Sequence, residues 1–136
     1  MKKWLLVFSM ALTGCATPLV YAPAPAEAVS MQTAAVASGV LEPQHFYFTL
    51  ISQYKSGSAR VLVLTDPAIK LADLTVSANQ ITVHDRAPQV SSNLILAWGK
   101  LVQEEFLTPC PARKIARQAA PIKGTFELDV KGGVCL

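Results

Sequence analysis

The sequence predicts an α+β domain: a small antiparallel sheet of about five strands covered by one main amphipathic helix, placed after a signal peptide and a disordered tether. Three observations carry this. Apolar residues recur with a period of two through short runs between His45 and Asp85. Leu94 to Phe106 has the helical period instead. Upstream of Pro43 the chain is mostly Ala, Pro, Ser, Thr and Val, a composition suited to a tether. The divisions that follow are residues 1–14 for the leader, 15–43 for the tether and 44–136 for the domain.

The leader comes first. Met1-Lys2-Lys3 supplies a positive start, and Trp4 to Ala11 a compact apolar core. That core is shorter than the roughly 20 apolar residues that span a bilayer, so it reads as a secretory signal. Its end, Leu12-Thr13-Gly14-Cys15, resembles the lipobox of bacterial lipoproteins. The resemblance implies that the leader is removed before Cys15, that the Cys15 thiol carries diacylglycerol, and that the new amino terminus is acylated with palmitate or a similar chain. Each buried CH₂ contributes about 0.8 kcal/mol, so two or three chains hold a protein stably on a membrane. Ala16 stands where inner-membrane lipoproteins of this kind commonly carry aspartate. The implied location is the outer membrane of a Gram-negative bacterium, on the periplasmic face, with the membrane as partner through the anchor.

Without the 14 leader residues, 122 of the 136 remain, and the loss of Lys2 and Lys3 takes the 12 basic residues to 10 against 9 acidic ones. A net charge near +1 with no concentrated basic face argues against nucleic-acid binding. The length suits one small core.

The remaining elements follow in order. Ala22-Pro23-Ala24-Pro25-Ala26 favours an extended, unbonded backbone that would hold a domain off a membrane surface. Met31 to Val40 has at most a weak helical tendency. Phe46, Phe48 and Leu50 face one way on a strand while Tyr47, Thr49 and Ile51 face the other. Lys55-Ser56-Gly57-Ser58 makes the turn to a second apolar strand, Arg60 to Thr65, and the two form a hairpin broken by Asp66-Pro67. Ile69 to Ser77 and Ile81 to Asp85 extend it into an antiparallel meander, since short connections do not allow parallel crossovers. Ser91-Ser92-Asn93 then offers N-cap chemistry. The helix that follows carries Leu94, Ile95, Trp98, Leu101, Val102 and Phe106 on one stripe and stops at Pro109. Pro111 to Ala120 is expected to form a second, shorter helix, and Thr125 to Val130 a last strand before the Lys131-Gly132-Gly133 turn.

Few residues suggest chemistry. Cys110 and Cys135 are the two thiols left in the mature chain, and an oxidising periplasm favours a disulfide between them. Closing the 24 residues that separate them is worth roughly 3–4 kcal/mol. His45 and His84 are too few for a zinc site, and Asp85 is expected on the opposite face from His84. Asp66, Asp73, Glu104 and Glu105 are scattered, and no nucleophile elbow or phosphate loop is present. No catalytic residue, metal ligand or cofactor is expected. On a helix Arg113 and Arg117 would share one face with Lys114 beside them, read either as a solvated face or as a contact for anionic headgroups.

A hairpin apolar on both faces needs both covered. Either a partner covers the second face, or the sheet curves around a ligand, or the tether or second helix folds back across it. The order from Phe46 to Leu107, with strands ending in Ile81-Thr82-Val83-His84 and then Pro88 and a helix, resembles part of the half-barrel of the periplasmic lipoprotein carriers LolA and LolB. The resemblance implies an apolar cavity that receives acyl chains. The functional expectation is a non-enzymatic lipoprotein that binds lipid or another apolar ligand through Phe46, Phe48, Leu50, Val61, Val63 and Trp98. The alternative is an accessory protein docking onto an envelope protein complex.

Overall fold

In the computed structural model, which describes residues 19–65 and 69–135, the period-two runs pair in chain order. The strands are β1 (Leu19–Tyr21), β2 (Ala35–Glu42), β3 (Phe46–Lys55), β4 (Ser58–Thr65), β5 (Ile69–Ser77) and β6 (Gln80–Arg86). After the helix α1 (Ser92–Glu105) come β7 (Lys114–Gln118) and β8 (Thr125–Gly132). Together they form one mixed sheet in the order β1-β6-β5-β4-β3-β2-β8-β7. The neighbouring strands are antiparallel except β1 and β6, which run parallel with Leu19 opposite Ile81.

This corrects the expected class. The described chain is mostly β, an eight-stranded mixed sheet with a single helix, rather than an α+β domain built on five antiparallel strands. Three segments make the difference. Residues 35–42, which belong to the expected tether, form a central strand paired along its length with β3 and β8. Residues 19–21 add the parallel edge. Lys114–Gln118, in place of a second helix, forms the other edge against β8.

One face of the sheet is covered by α1. The helix starts at Ser91, whose Oγ accepts from the Leu94 N–H at 3.1 Å, and its last turn closes with the Phe106 N–H on the Val102 carbonyl at 2.9 Å. Its apolar stripe joins inward-facing residues of β2 to β8 in one buried core, Leu50, Val61, Leu74, Ile81, Ile115 and Phe126 among them. Trp98, Phe106 and Phe126 are fully buried, and Phe48 stands edge-on to both Trp98 and Phe126 at centroid distances of 5.5 and 5.7 Å. Removing each such side chain from water is worth about 1.5–3 kcal/mol. Two glycines make the closeness workable. A Cβ on Gly39 would lie 2.6 Å from the Phe48 ring, and one on Gly99 would lie 2.8 Å from Ile81 Cγ1. The small residues that give β2 a tether-like composition are what lets large side chains pack over it.

The segment between β1 and β2 is no free spacer either. It crosses the other face of the sheet as a strap, held at four points. Arg60 Nη1 donates to the Glu27 carbonyl at 3.0 Å, the Ser30 N–H to Gln53 Oε1 at 2.8 Å and Gln53 Nε2 to Thr33 Oγ1 at 2.9 Å. His84 Nδ1 meets the Ala22 carbonyl at 3.0 Å. Of the coverings that the two-sided hairpin allows, folding back of the upstream chain thus occurs over part of the sheet.

Candidate docking face

The six residues expected to line a ligand site do come together, but inside the core. Leu50, Val61, Val63 and Trp98 have no exposed surface, Phe48 is 4% exposed, and Phe46 packs half-buried beside them. The space over them is filled by α1. A cost remains at the centre of this packing: the buried Trp98 Nε1–H has no hydrogen-bond partner. An unpaired buried donor costs about 1–3 kcal/mol.

The opposite, open face carries a second apolar set. Register places Val36 opposite Ile51 and Ile51 opposite Leu62, so that β2, β3 and β4 form one cross-strand row. The next row on this face is Ser38, Thr49 and Leu64, and beyond it Val40 stands opposite Tyr47. None of these residues belongs to the core under α1, although Ile51 is itself buried. Tyr47 is 66% exposed and borders an open groove with Ser38, Val40, Ala116 and Glu127. Tyr47, Thr49 and Ile51 already stand out in the sequence as the second apolar face of the hairpin. Val36, Val40, Leu62 and Leu64 join them only once β2 is a strand.

Beside these rows, under the strap, the open face turns polar. Arg60 grips Asp73 with two bonds, Nε to Oδ1 at 2.7 Å and Nη2 to Oδ2 at 2.8 Å, and Lys70 Nζ lies 4.0 Å from the same carboxylate. The bond from Asp73 raises the Arg60 pKa above its ordinary value, against the opposing effect of burial. His84 Nε2 lies 2.7 Å from Thr75 Oγ1. Because a carbonyl accepts only, it is Nδ1–H that donates to the Ala22 carbonyl. The histidine pins the strap. His45 lies in the β2–β3 turn, 2.8 Å from Glu42.

The basic triplet is not one patch. Arg113 Nη1 donates to the Gly132 carbonyl at 3.0 Å and Nη2 to the Pro111 carbonyl at 2.9 Å, bracing the chain ends beside the disulfide. Lys114 pairs with Asp129 at 2.6 Å, and Arg117 with Glu105 and, at 3.8 Å, Glu104. These carboxylates raise the pKa of Lys114 and of Arg117, chiefly through the hydrogen bonds. Cys110 and Cys135 form the expected disulfide, with Cα atoms 5.0 Å apart, joining the exit from α1 to the end of β8. Cys15, the leader and Asp66 lie outside the described residues.

No protein-family model, curated protein or solved structure matches the chain. Among the described residues no helix is long and apolar enough to cross a membrane, and no three His, Cys, Asp or Glu residues gather as a metal site.

Proposed function

We propose that the chain is a lipoprotein anchored through Cys15 at the periplasmic face of the outer membrane, and that it acts without catalysis, by docking onto an envelope protein. The anchor rests on the lipobox-like Leu12-Thr13-Gly14-Cys15 and on Ala16 after it. Docking rests on one observation: the row Val36-Ile51-Leu62 and, past the intervening Ser38-Thr49-Leu64 row, the pair Val40-Tyr47 lie on a sheet face that α1 does not cover. Apolar surface of this kind gains roughly 25 cal/mol per Å² when a partner removes it from water, and contiguous patches mark interaction sites. The absence of catalysis is supported by the use of charge in the fold, where Arg60–Asp73, Lys114–Asp129 and Arg117–Glu105 tie elements together.

The second reading, a lipid or other apolar ligand held against Phe46, Phe48, Leu50, Val61, Val63 and Trp98, has one feature in its favour. The unpaired Trp98 Nε1–H is the donor that an ester carbonyl would satisfy. It requires α1 to leave its face and expose Trp98 and Phe106. Native mass spectrometry of the full-length protein, extracted from membranes in mild detergent, separates the two. An acylated chain in stoichiometric complex with another protein is expected. A chain that carries a non-covalent phospholipid and no protein would reverse the choice.

A further inference from the structure

Only Ala16, Thr17 and Pro18 stand between the proposed anchor and the first strand, and this decides which end of the domain meets the membrane. The four steps from Cys15 to Leu19 span at most about 14 Å when fully extended. β1 begins where β6 begins, with Leu19 opposite Ile81. Register carries that rim across the sheet: Ile81 faces Val76, Val76 faces Ala59, Ala59 faces Tyr54, and on the next pairs Ser52 faces Ala35 and Ala35 faces Gly132. The same rim therefore holds the β3–β4 turn, the β5–β6 turn, the residues entering β2 and those leaving β8.

Its exposed side chains suit a headgroup layer. Met31 is 58% and Val134 48% exposed, large apolar groups at the entry to β2 and the exit from β8. Lys55, with 75% of its side chain exposed, flanks the β3–β4 turn, and exposed Lys131 is the last residue but one of β8. Glu27 lies 3.9 Å from Lys55, the outer limit of an ion pair, and Glu104 and Glu105 near the end of α1 are engaged by Arg117. Apolar side chains that reach the interface, beside lysines that reach phosphates, are the chemistry by which a protein rests on an anionic lipid surface.

We infer that this rim lies against the phospholipid headgroups, with Met31 and Val134 at the interface and Lys55 and Lys131 over the lipid phosphates, and that the domain stands end-on with its open face turned sideways. The inference rests on the lipidation of Cys15. The strap does not lengthen the tether, because it follows β1 and is bound to the sheet.

The acylated full-length protein is reconstituted in vesicles of phosphatidylethanolamine and phosphatidylglycerol that contain a lipid with a nitroxide on its headgroup. A fluorophore is attached in one preparation at Met31→Cys and in another at Lys123→Cys, on the β7–β8 turn at the opposite rim. Quenching several-fold stronger from position 31 is expected. Equal quenching, or stronger quenching from position 123, in protein whose intact mass shows an acylated Cys15 overturns the orientation. An intact mass without acyl groups overturns the anchor itself and the orientation with it, so the two failures are told apart.

Discussion

The two faces of this sheet start from similar material and end differently. β3 and β4 place Leu50, Val61 and Val63 on one side and Ile51, Leu62 and Leu64 on the other, all aliphatic. On the first side α1 removes them from water completely; on the second the strap lies over Gln53, Arg60 and His84, Ile51 is buried, and Leu62 and Leu64 stay partly exposed. Apolar alternation alone therefore does not say which face is core. The deciding feature is where the one long apolar helix stripe lands: Gly99 lets it approach Ile81 closely, and Gly39 makes room for the Phe48 ring beneath it.

The helix-covered face should be the sensitive one. Trp98→Ala removes the largest fully buried side chain and is expected to cost about 3–5 kcal/mol in denaturant unfolding. A loss below about 1 kcal/mol would mean that α1 is loosely held and would break the contrast between the faces. Next in size is the bridge that fixes the chain after α1 to β8. Replacing Cys110 and Cys135 together by serine opens a link across a sequence separation of 25 and should cost about 3.5 kcal/mol by loop entropy, read from the shift in the unfolding midpoint. Gly99→Ala drives a Cβ into Ile81, an overpacking worth about 1–3 kcal/mol; thermal melting unchanged from the parent would show that α1 has room to move outward.

On the open face the sign of the argument changes. Tyr47→Ser should alter stability by no more than about 0.5 kcal/mol, since the ring is mostly in solvent, yet it should weaken capture of the docked partner. Large destabilisation with capture intact would make Tyr47 a packing residue and remove the open face from the functional reading.

The parts of this contrast that the sequence makes legible share one property: their side chains report the period of the backbone. The meander from Phe46 to Arg86 alternates clearly, and the stripe from Leu94 to Phe106 is long enough to leave no doubt of its period. The disulfide follows from there being two thiols downstream of the proposed anchor, Cys110 and Cys135. β2 was hidden because its pattern is written in small residues, Ala35, Ala37 and Gly39, which match a tether by composition and a close-packed strand by position. β7 was hidden because it is an edge strand of five residues in which Ile115 alone is buried, so Lys114 and Arg117 read as a helix face. The strap was hidden for a different reason: its bonds come from Gln53, Arg60 and His84, far away in sequence. The open face shows in the sequence as half of a row, since Val36 and Val40 come from the unrecognised strand.

The most direct measurement is site-specific photo-cross-linking in cells, with a photoreactive amino acid at Tyr47 on the open face and, in a separate strain, at Glu104 on the solvent side of α1. One discrete protein adduct from position 47 and none from position 104 is the expected result. The same adducts from both positions, or none from either, would contradict the assignment of the open face as the docking surface.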